Sequence, residues 1–222
     1  MEYRLKTPLD KSQVAKLRVG DVVYISGKLL TGRDAAHKRI FEAIRNGQSL
    51  PVDIKGQAIY YVGPCEKDGK VLSAGPTTSM RMDAYAPLLY DEGVVATIGK
   101  GDRNSDVYAA IKRNGGVYLA AIGGAGALYA SKIENSRVLA YDDLGTEAVH
   151  EFEVRDFPCV VAIDSCGDSI YNELARYLAN NCVRRDFLTS HVRLSTLVVQ
   201  KSCLSCSSSK YHANYKLTLC KQ

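Results

Sequence analysis

The chain has 222 residues, of which 46% are hydrophobic, and a formal net charge of +5. That length supports one substantial core, or one core with an appendage. The N-terminal MEYRLKTPLDK has no apolar h-region, and the longest uncharged run, about Val117 to Ala130, is broken by glycines and shorter than the roughly 20 apolar residues of a membrane span. A secretory signal and a membrane partner are therefore not expected, and a cytoplasmic location is.

The first predicted element is a short helix over DKSQVAKL, Asp10 to Leu17. GDVVYISGKLL, Gly20 to Leu30, is β-branched and aromatic and reads as a strand. RDAAHKRIFEAIRNG follows, with Ala36, Ile40, Ala43 and Ile44 at helical spacing and Gly47 as a stop. QAIYYVGP is a strand closed by Gly63-Pro64, and CEKDGK is a turn. SAGPTTSMRMD, Ser73 to Asp83, leads into a helix-like segment that Pro87 is expected to end or kink.

Strands and helices then alternate. VVATIG, VYLAAIGG, SRVLAYDDLG and PCVVAIDSCG read as strands, and EAVHEFEV alternates like an edge strand. NSDVYAAIKRNGG, AGALYASKI and SIYNELARYLANN read as helices, the first with an Asn or Ser cap and a glycine stop. The pattern predicts an α/β fold with a mixed sheet. The texture changes after about Asn181, so the expected division is a domain over 1–180 and a basic Ser/Cys-rich tail over 181–222, in which LSTLVVQ is a candidate strand.

The charge is unevenly spread. From Arg176 onward eight Lys/Arg face one acid, Asp186, a net of +7, which leaves the preceding residues at −2. A basic tail suits nucleic acid or an acidic surface, and one alternative is a non-catalytic binding protein that uses it. Such runs are more often solvated extensions, so nucleic acid is not the expected partner. The seven cysteines, at 65, 159, 166, 182, 203, 206 and 220, read as reduced thiols. Cys203 and Cys206, with His212 and Cys220, match no common zinc spacing.

Several motifs admit two readings. Gly99-Lys100-Gly101 follows a strand, so Lys100 sits either beside an anion on exposed backbone or in a solvated turn; the Walker spacing is absent. Gly123-Gly124-Ala125-Gly126 suits an anion at a helix start, but close helix–sheet packing is the favoured reading. Arg33-Asp34-Ala35-Ala36-His37 opens a helix. Asp34 either caps it or pairs with His37, Arg33 lies where a carboxylate could be gripped, and the plainer reading is a cap with a surface histidine. In SAGPTTSMRMD the threonines serve as a helix cap or as part of a substrate clamp.

In order, GDVVYISG, GRDAAHKRI, LPVDIKGQAIYYVGP, SAGPTTSMRMDAYAP, IGKG, VYLAAIGGAGAL, LGTEAV and DFPCVVAIDSCG resemble one family over about Thr7 to Tyr171. This is the β subunit, or C-terminal domain, of class I iron–sulfur fumarate hydratases and the related L(+)-tartrate dehydratases. The resemblance implies a swivelling β/β/α domain and a small dicarboxylate substrate. It implies a 4Fe–4S cluster held by a partner α subunit, with no metal or cofactor ligand in this chain, in a dimer of heterodimers. Carried over by motif, Thr77 is the proton-transfer group, Arg33, Thr78, Arg81 and Lys100 bind carboxylate, and His37 is an acid–base or orienting residue. Fumarate is the expected substrate and tartrate the alternative.

Overall fold

In the computed structural model, which describes residues 1–172, the chain opens with a strand, β1 (Glu2–Lys6). Only Leu5 of its five residues is buried, so EYRLK carries no apolar pattern to announce it. β1 adds in parallel to β2 (Val22–Thr31), from Glu2↔Val22 to Lys6↔Ser26. Between them is α1 (Lys11–Val14), where Asp10 caps the Ser12 N–H at 2.9 Å. Next come α2 (Asp34–Arg45) and β3 (Ala58–Tyr60).

CEKDGK is more than a turn. It begins a hairpin of β4 (Cys65–Lys67) and β5 (Lys70–Ser73), whose two-residue link, Asp68-Gly69, has positive φ at both positions. A 3₁₀ turn (Ser79–Met82) and α3 (Ala86–Asp91) follow. Pro87 lies in the first turn of α3, so it starts that helix rather than ending one, because its missing N–H has no intrahelical partner to lose there. Then come β6 (Ala96–Gly99), α4 (Ser105–Asn114), β7 (Val117–Ala120), α5 (Gly126–Ala130) and β8 (Ile133–Ala140). A second 3₁₀ segment (Asp142–Glu147) leads to β9 (Val149–Ile163).

EAVHEFEV is not an edge strand. It is continuous with PCVVAI in the 15-residue β9. The charged Arg155-Asp156 step between them is an irregularity within one strand: Asp156 has φ 48°, and its N–H donates to Ser26 Oγ at 3.0 Å. Pro158 is tolerated because β8 pairs with β9 only as far as Val154 and β7 joins only at Val160, leaving one side of β9 open between them.

The sheet runs β1-β2-β3-β6-β7-β9-β8, and β2 also pairs antiparallel with β9 from Val22↔Val160 to Leu30↔Glu151. That pairing closes five of the seven strands into a barrel, with β2, β3, β6 and β7 parallel. The fold is mixed α/β with a mixed, closed sheet.

Alternation along the strands divides the core. Val23, Ile25, Leu29, Ala58, Tyr60, Ile98, Leu119, Phe157 and Val161 form one buried cluster on the inner face. Leu30, Ile59 and Tyr61 point the other way, onto Ala36 and Ile40 of α2. Tyr118, Ala120 and Ala162 pack beneath α3 and α4. Each fully buried large side chain contributes about 1.5–3 kcal/mol.

SIYNELARYLANN is helical from Ile170 through residue 172. Its remainder, LSTLVVQ, and the set Cys203, Cys206, His212 and Cys220 lie outside the described residues. Among those described, Cys65, Cys159 and Cys166 are free thiols, and no helix is long and apolar enough to cross a membrane.

Candidate active site at the carboxyl ends of the parallel strands

Four parallel strands deliver their following loops to one end of the barrel, the end where α/β folds place ligands. The loop after β2 carries Arg33 and the start of α2. The chain after β3 returns through the hairpin to Thr77 and Thr78, and the residue after β6 is Lys100.

Thr77–Ser79 lies against the end of β6 as a short parallel bridge, Thr78 opposite Lys100. Ser79 N–H donates to Lys100 O at 2.8 Å, Lys100 N–H to Thr77 O at 3.2 Å, and Thr77 N–H to Tyr61 O at 2.7 Å. Gly99 makes the approach possible: a Cβ there would lie 2.0 Å from Ser79 Oγ. Ser79 is buried, with Oγ 2.9 Å from the Tyr118 hydroxyl, which donates to Gly101 O at 2.7 Å. The threonines are therefore held by backbone pairing and do not cap a helix with their side chains. Thr77 is half-buried and Thr78 exposed.

Lys100 is also half-buried, and its stem passes Gly123, where a Cβ would lie 3.5 Å from Cδ. Lys28 and Lys38 have acidic partners; Lys100 has none among the described residues. A Cβ on Gly126 would fall 2.3 Å from Ser73 Oγ, which supports the packing reading of the glycine-rich segment.

Arg81 projects from the 3₁₀ turn to the start of α2, where Nε donates to Asp34 Oδ1 at 3.0 Å and Nη2 lies 2.7 Å from Oδ2. Asp34 thus neither caps α2 nor pairs with His37: it turns to Arg81, which hydrogen-bonds Oδ1 and meets Oδ2 by charge alone. Arg33 Nη2 lies 3.5 Å from Glu147 Oε1, and Arg33 Nε has no hydrogen-bond partner among the described residues. Three cations, Arg33, Arg81 and Lys100, thus face two carboxylates.

His37 is set apart from this mouth. It is fully buried rather than on the surface, its ring edge-on to Tyr61 at 5.1 Å. Its Nδ1 lies 2.9 Å from Arg33 O, which fixes Nδ1–H as the donor and leaves Nε2 as an unpartnered lone pair. Burial lowers its pKa to about 4, so the ring is neutral near pH 7.

Beneath the mouth lies a buried layer that the motifs do not announce. Arg103 Nε donates to Asp83 Oδ1 at 2.6 Å and Nη1 to Thr97 Oγ1 at 3.1 Å, while the guanidinium stands 5.0 Å from the Tyr118 ring centre. Asp83 Oδ2 accepts the Asn104 N–H at 2.6 Å, tying the 3₁₀ turn to the start of α4. Burial pushes the Tyr118 hydroxyl well above its usual range, so it remains a hydrogen-bond donor. Asp83 and Arg103 sit within the quoted SAGPTTSMRMD and just beyond IGKG, but their pairing is a property of the fold. Glu147, within LGTEAV, was legible only as part of the resemblance.

No three His, Cys, Asp or Glu side chains among the described residues converge as metal ligands, so these residues offer no set for a cluster.

A mixed, closed sheet with a cationic, hydroxyl-bearing mouth at its parallel strand ends describes an α/β domain whose donor set is chemically suited to an anion. Residues 1–174 match the family model described as the fumarase C-terminus, and the chain belongs to that family. It is 42% identical over 182 residues to a putative L(+)-tartrate dehydratase subunit beta of Methanocaldococcus jannaschii, covering 78% of this chain and 93% of that protein. It is 40% identical over 175 residues to fumarate hydratase 2 of Leishmania major, covering 76% of this chain and 31% of that one. With the anaerobic class I fumarate hydratase of Escherichia coli the figures are 35% over 177 residues, 78% and 32%. The chain thus spans about a third of the fumarate hydratases it matches and nearly all of the tartrate dehydratase subunit.

Proposed function

We propose that this chain is the β-type half of a hydro-lyase that interconverts fumarate and (S)-malate by reversible hydration. The observation that carries the reading is the docking of Thr77–Ser79 along the end of β6 beside Lys100, with Arg33 and Arg81 brought from neighbouring loops to the same end. A four-carbon dianion needs cationic donors for both carboxylates and a proton-transfer group at C3, one of the two carbons between them.

In this reading Arg33, Arg81 and the Thr78 hydroxyl bind substrate carboxylates. Thr77 takes the C3 proton of malate, and the negative charge then passes to the adjoining carboxylate, where the arginines and Lys100 stabilise it. A threonine hydroxyl is a weak base unaided, and the Lys100 charge, unpaired among the described residues, lowers the cost of its deprotonated form. His37, neutral and bonded to the Arg33 carbonyl, acts by orienting Arg33 rather than by exchanging protons.

The second reactant group belongs to a partner. A 4Fe–4S cluster on an α-type subunit supplies a Lewis acid toward the C2 hydroxyl. The assembly is a cytoplasmic dimer of αβ units, with 1–180 as a swivelling β/β/α domain and 181–222 as a basic extension. The 42% identity to an M. jannaschii protein named as a subunit beta supports the β-type reading. The same match keeps tartrate dehydration as the second reading.

Anaerobic co-expression with an α-type partner, followed by assay on malate, fumarate and both tartrates, tests the proposal. Hydration of fumarate by the pair and not by either chain is the expected result. Turnover of tartrate but not malate overturns the substrate, and full activity from this chain alone overturns the two-subunit reading.

A further inference from the structure

Arg33 opens α2, yet neither it nor Asp34 caps that helix with its side chain. The cap comes from a point 112 residues further along the chain: Glu147 Oε2 accepts the Ala35 N–H at 3.0 Å. Its other oxygen, Oε1, faces Arg33 Nη2 at 3.5 Å. One carboxylate thus spans a helix-terminal donor and the guanidinium beside it, where negative charge also suits the helix dipole.

The segment that carries Glu147 is fixed along α2. Arg39 Nη1 donates to Asp143 Oδ1 at 2.8 Å, and the guanidinium lies over the Tyr141 ring at 5.2 Å. Gly145, at φ 56° and ψ −121°, turns the chain so that Glu147 comes back toward the helix start. On its other side Arg33 passes close to Gly63: a Cβ there would lie 2.7 Å from Arg33 Nη1 and 3.2 Å from Thr146 O.

We propose that Glu147 is a positioning residue for Arg33, a role that rests on reading Arg33 as a carboxylate clamp. A carboxylate at 3.5 Å is close enough to set the direction of the guanidinium and too far to consume its donors in good hydrogen bonds. Nε is buried and unpartnered, so it is the Nη donors, which no hydrogen bond among the described residues uses, that stay available to a substrate carboxylate. Without the Glu147 charge the guanidinium is no longer held for that approach. Binding then weakens alike in ground and transition states, and the loss falls on KM rather than kcat.

The test uses the full chain assembled with its cluster-bearing partner. Glu147→Gln keeps an acceptor for the Ala35 N–H and removes the charge. It is expected to leave Tm near the parent value and to raise KM for malate about tenfold, with kcat within about twofold. Glu147→Ala is expected to show the same KM and a Tm lower by a few degrees, from loss of the cap. Because Glu147 acts through Arg33, Glu147→Gln on an Arg33→Ala background is expected to add nothing to the KM of Arg33→Ala alone. Parent KM in Glu147→Gln, or multiplicative effects in the double variant, overturns the inference while leaving the clamp in place. Parent KM in Arg33→Ala overturns the clamp reading, and the role of Glu147 with it.

Discussion

Two arginine–carboxylate arrangements stand one above the other in this domain, and they are built differently. Arg103 has no exposed side-chain surface, and it meets Asp83, Thr97 and the faces of Tyr61 and Tyr118. Arg33 and Arg81, at the mouth, are 24% and 51% exposed, each has one acidic partner, and Arg33 keeps a donor unused. The same pair chemistry thus gives every guanidinium nitrogen of Arg103 a partner in the buried layer and, among the described residues, leaves Arg33 with unused donors at the mouth. A buried guanidinium without its carboxylate is costly, whereas an exposed one is merely solvated.

The contrast is open to attack from the buried side first. Arg103→Met strands Asp83 and is expected to lower unfolding free energy by about 3–5 kcal/mol in denaturant titration, while Asp83→Leu combined with Arg103→Met recovers most of the loss. A single variant as stable as the parent would erase the distinction between the two layers. At the mouth, Thr77→Ala is expected to leave denaturant stability within about 0.5 kcal/mol and to cut kcat of the assembled enzyme by about a hundredfold or more. Parent kcat would remove Thr77 from the chemistry.

His37 decides on which side of the divide it belongs through pH. Its folded pKa of about 4 lies below its ordinary 6.5, so between those values the unfolded chain takes up a proton that the folded chain refuses. Its contribution to stability therefore falls as pH drops, by about 2 kcal/mol from pH 7 to pH 5. His37→Gln is expected to flatten that slope in denaturant titrations at the two pH values; an unchanged slope assigns the pH dependence elsewhere. The smallest effect separates two exposed pairs. Asp34→Asn frees Arg81 and is expected to change KM for malate by less than about tenfold, while Arg113→Ala, which breaks the surface pair with Asp91, changes neither KM nor stability measurably. Equal effects on KM would mean that Arg81 is also surface decoration.

Much of this was legible in the sequence where local physics and tertiary structure agree. The amphipathic face of α2 and the Asn104 cap of α4 are written in residues close together in the chain, and both stand in the structure. The GPTTSxRMD and GKG motifs carried the mouth through resemblance. β1 was silent because an added outer strand with one buried side chain needs no pattern. β9 was split because Arg155-Asp156 looks like a loop until Ser26 takes up the irregularity. Asp34 reads as a cap because the sequence does not show Arg81 reaching it from 47 residues away. Arg103 and Glu147 escaped for the same reason: a charged residue declares its partner only when the chain has brought one to it.

The barrel closure sets an order of assembly. β2, the strand on which the molecule is threaded, is made early, and the β9 strand that closes against it ends at residue 163. Until residues 147–163 leave the ribosome, β2 has a bare side and the turn at Arg33 has no Glu147 to face. The mouth and the barrel are therefore finished by the same late stretch of chain, a non-local step that slows folding and exposes unpaired strand to other chains in the interval. A nascent chain released before that stretch has all six proposed site residues and no site.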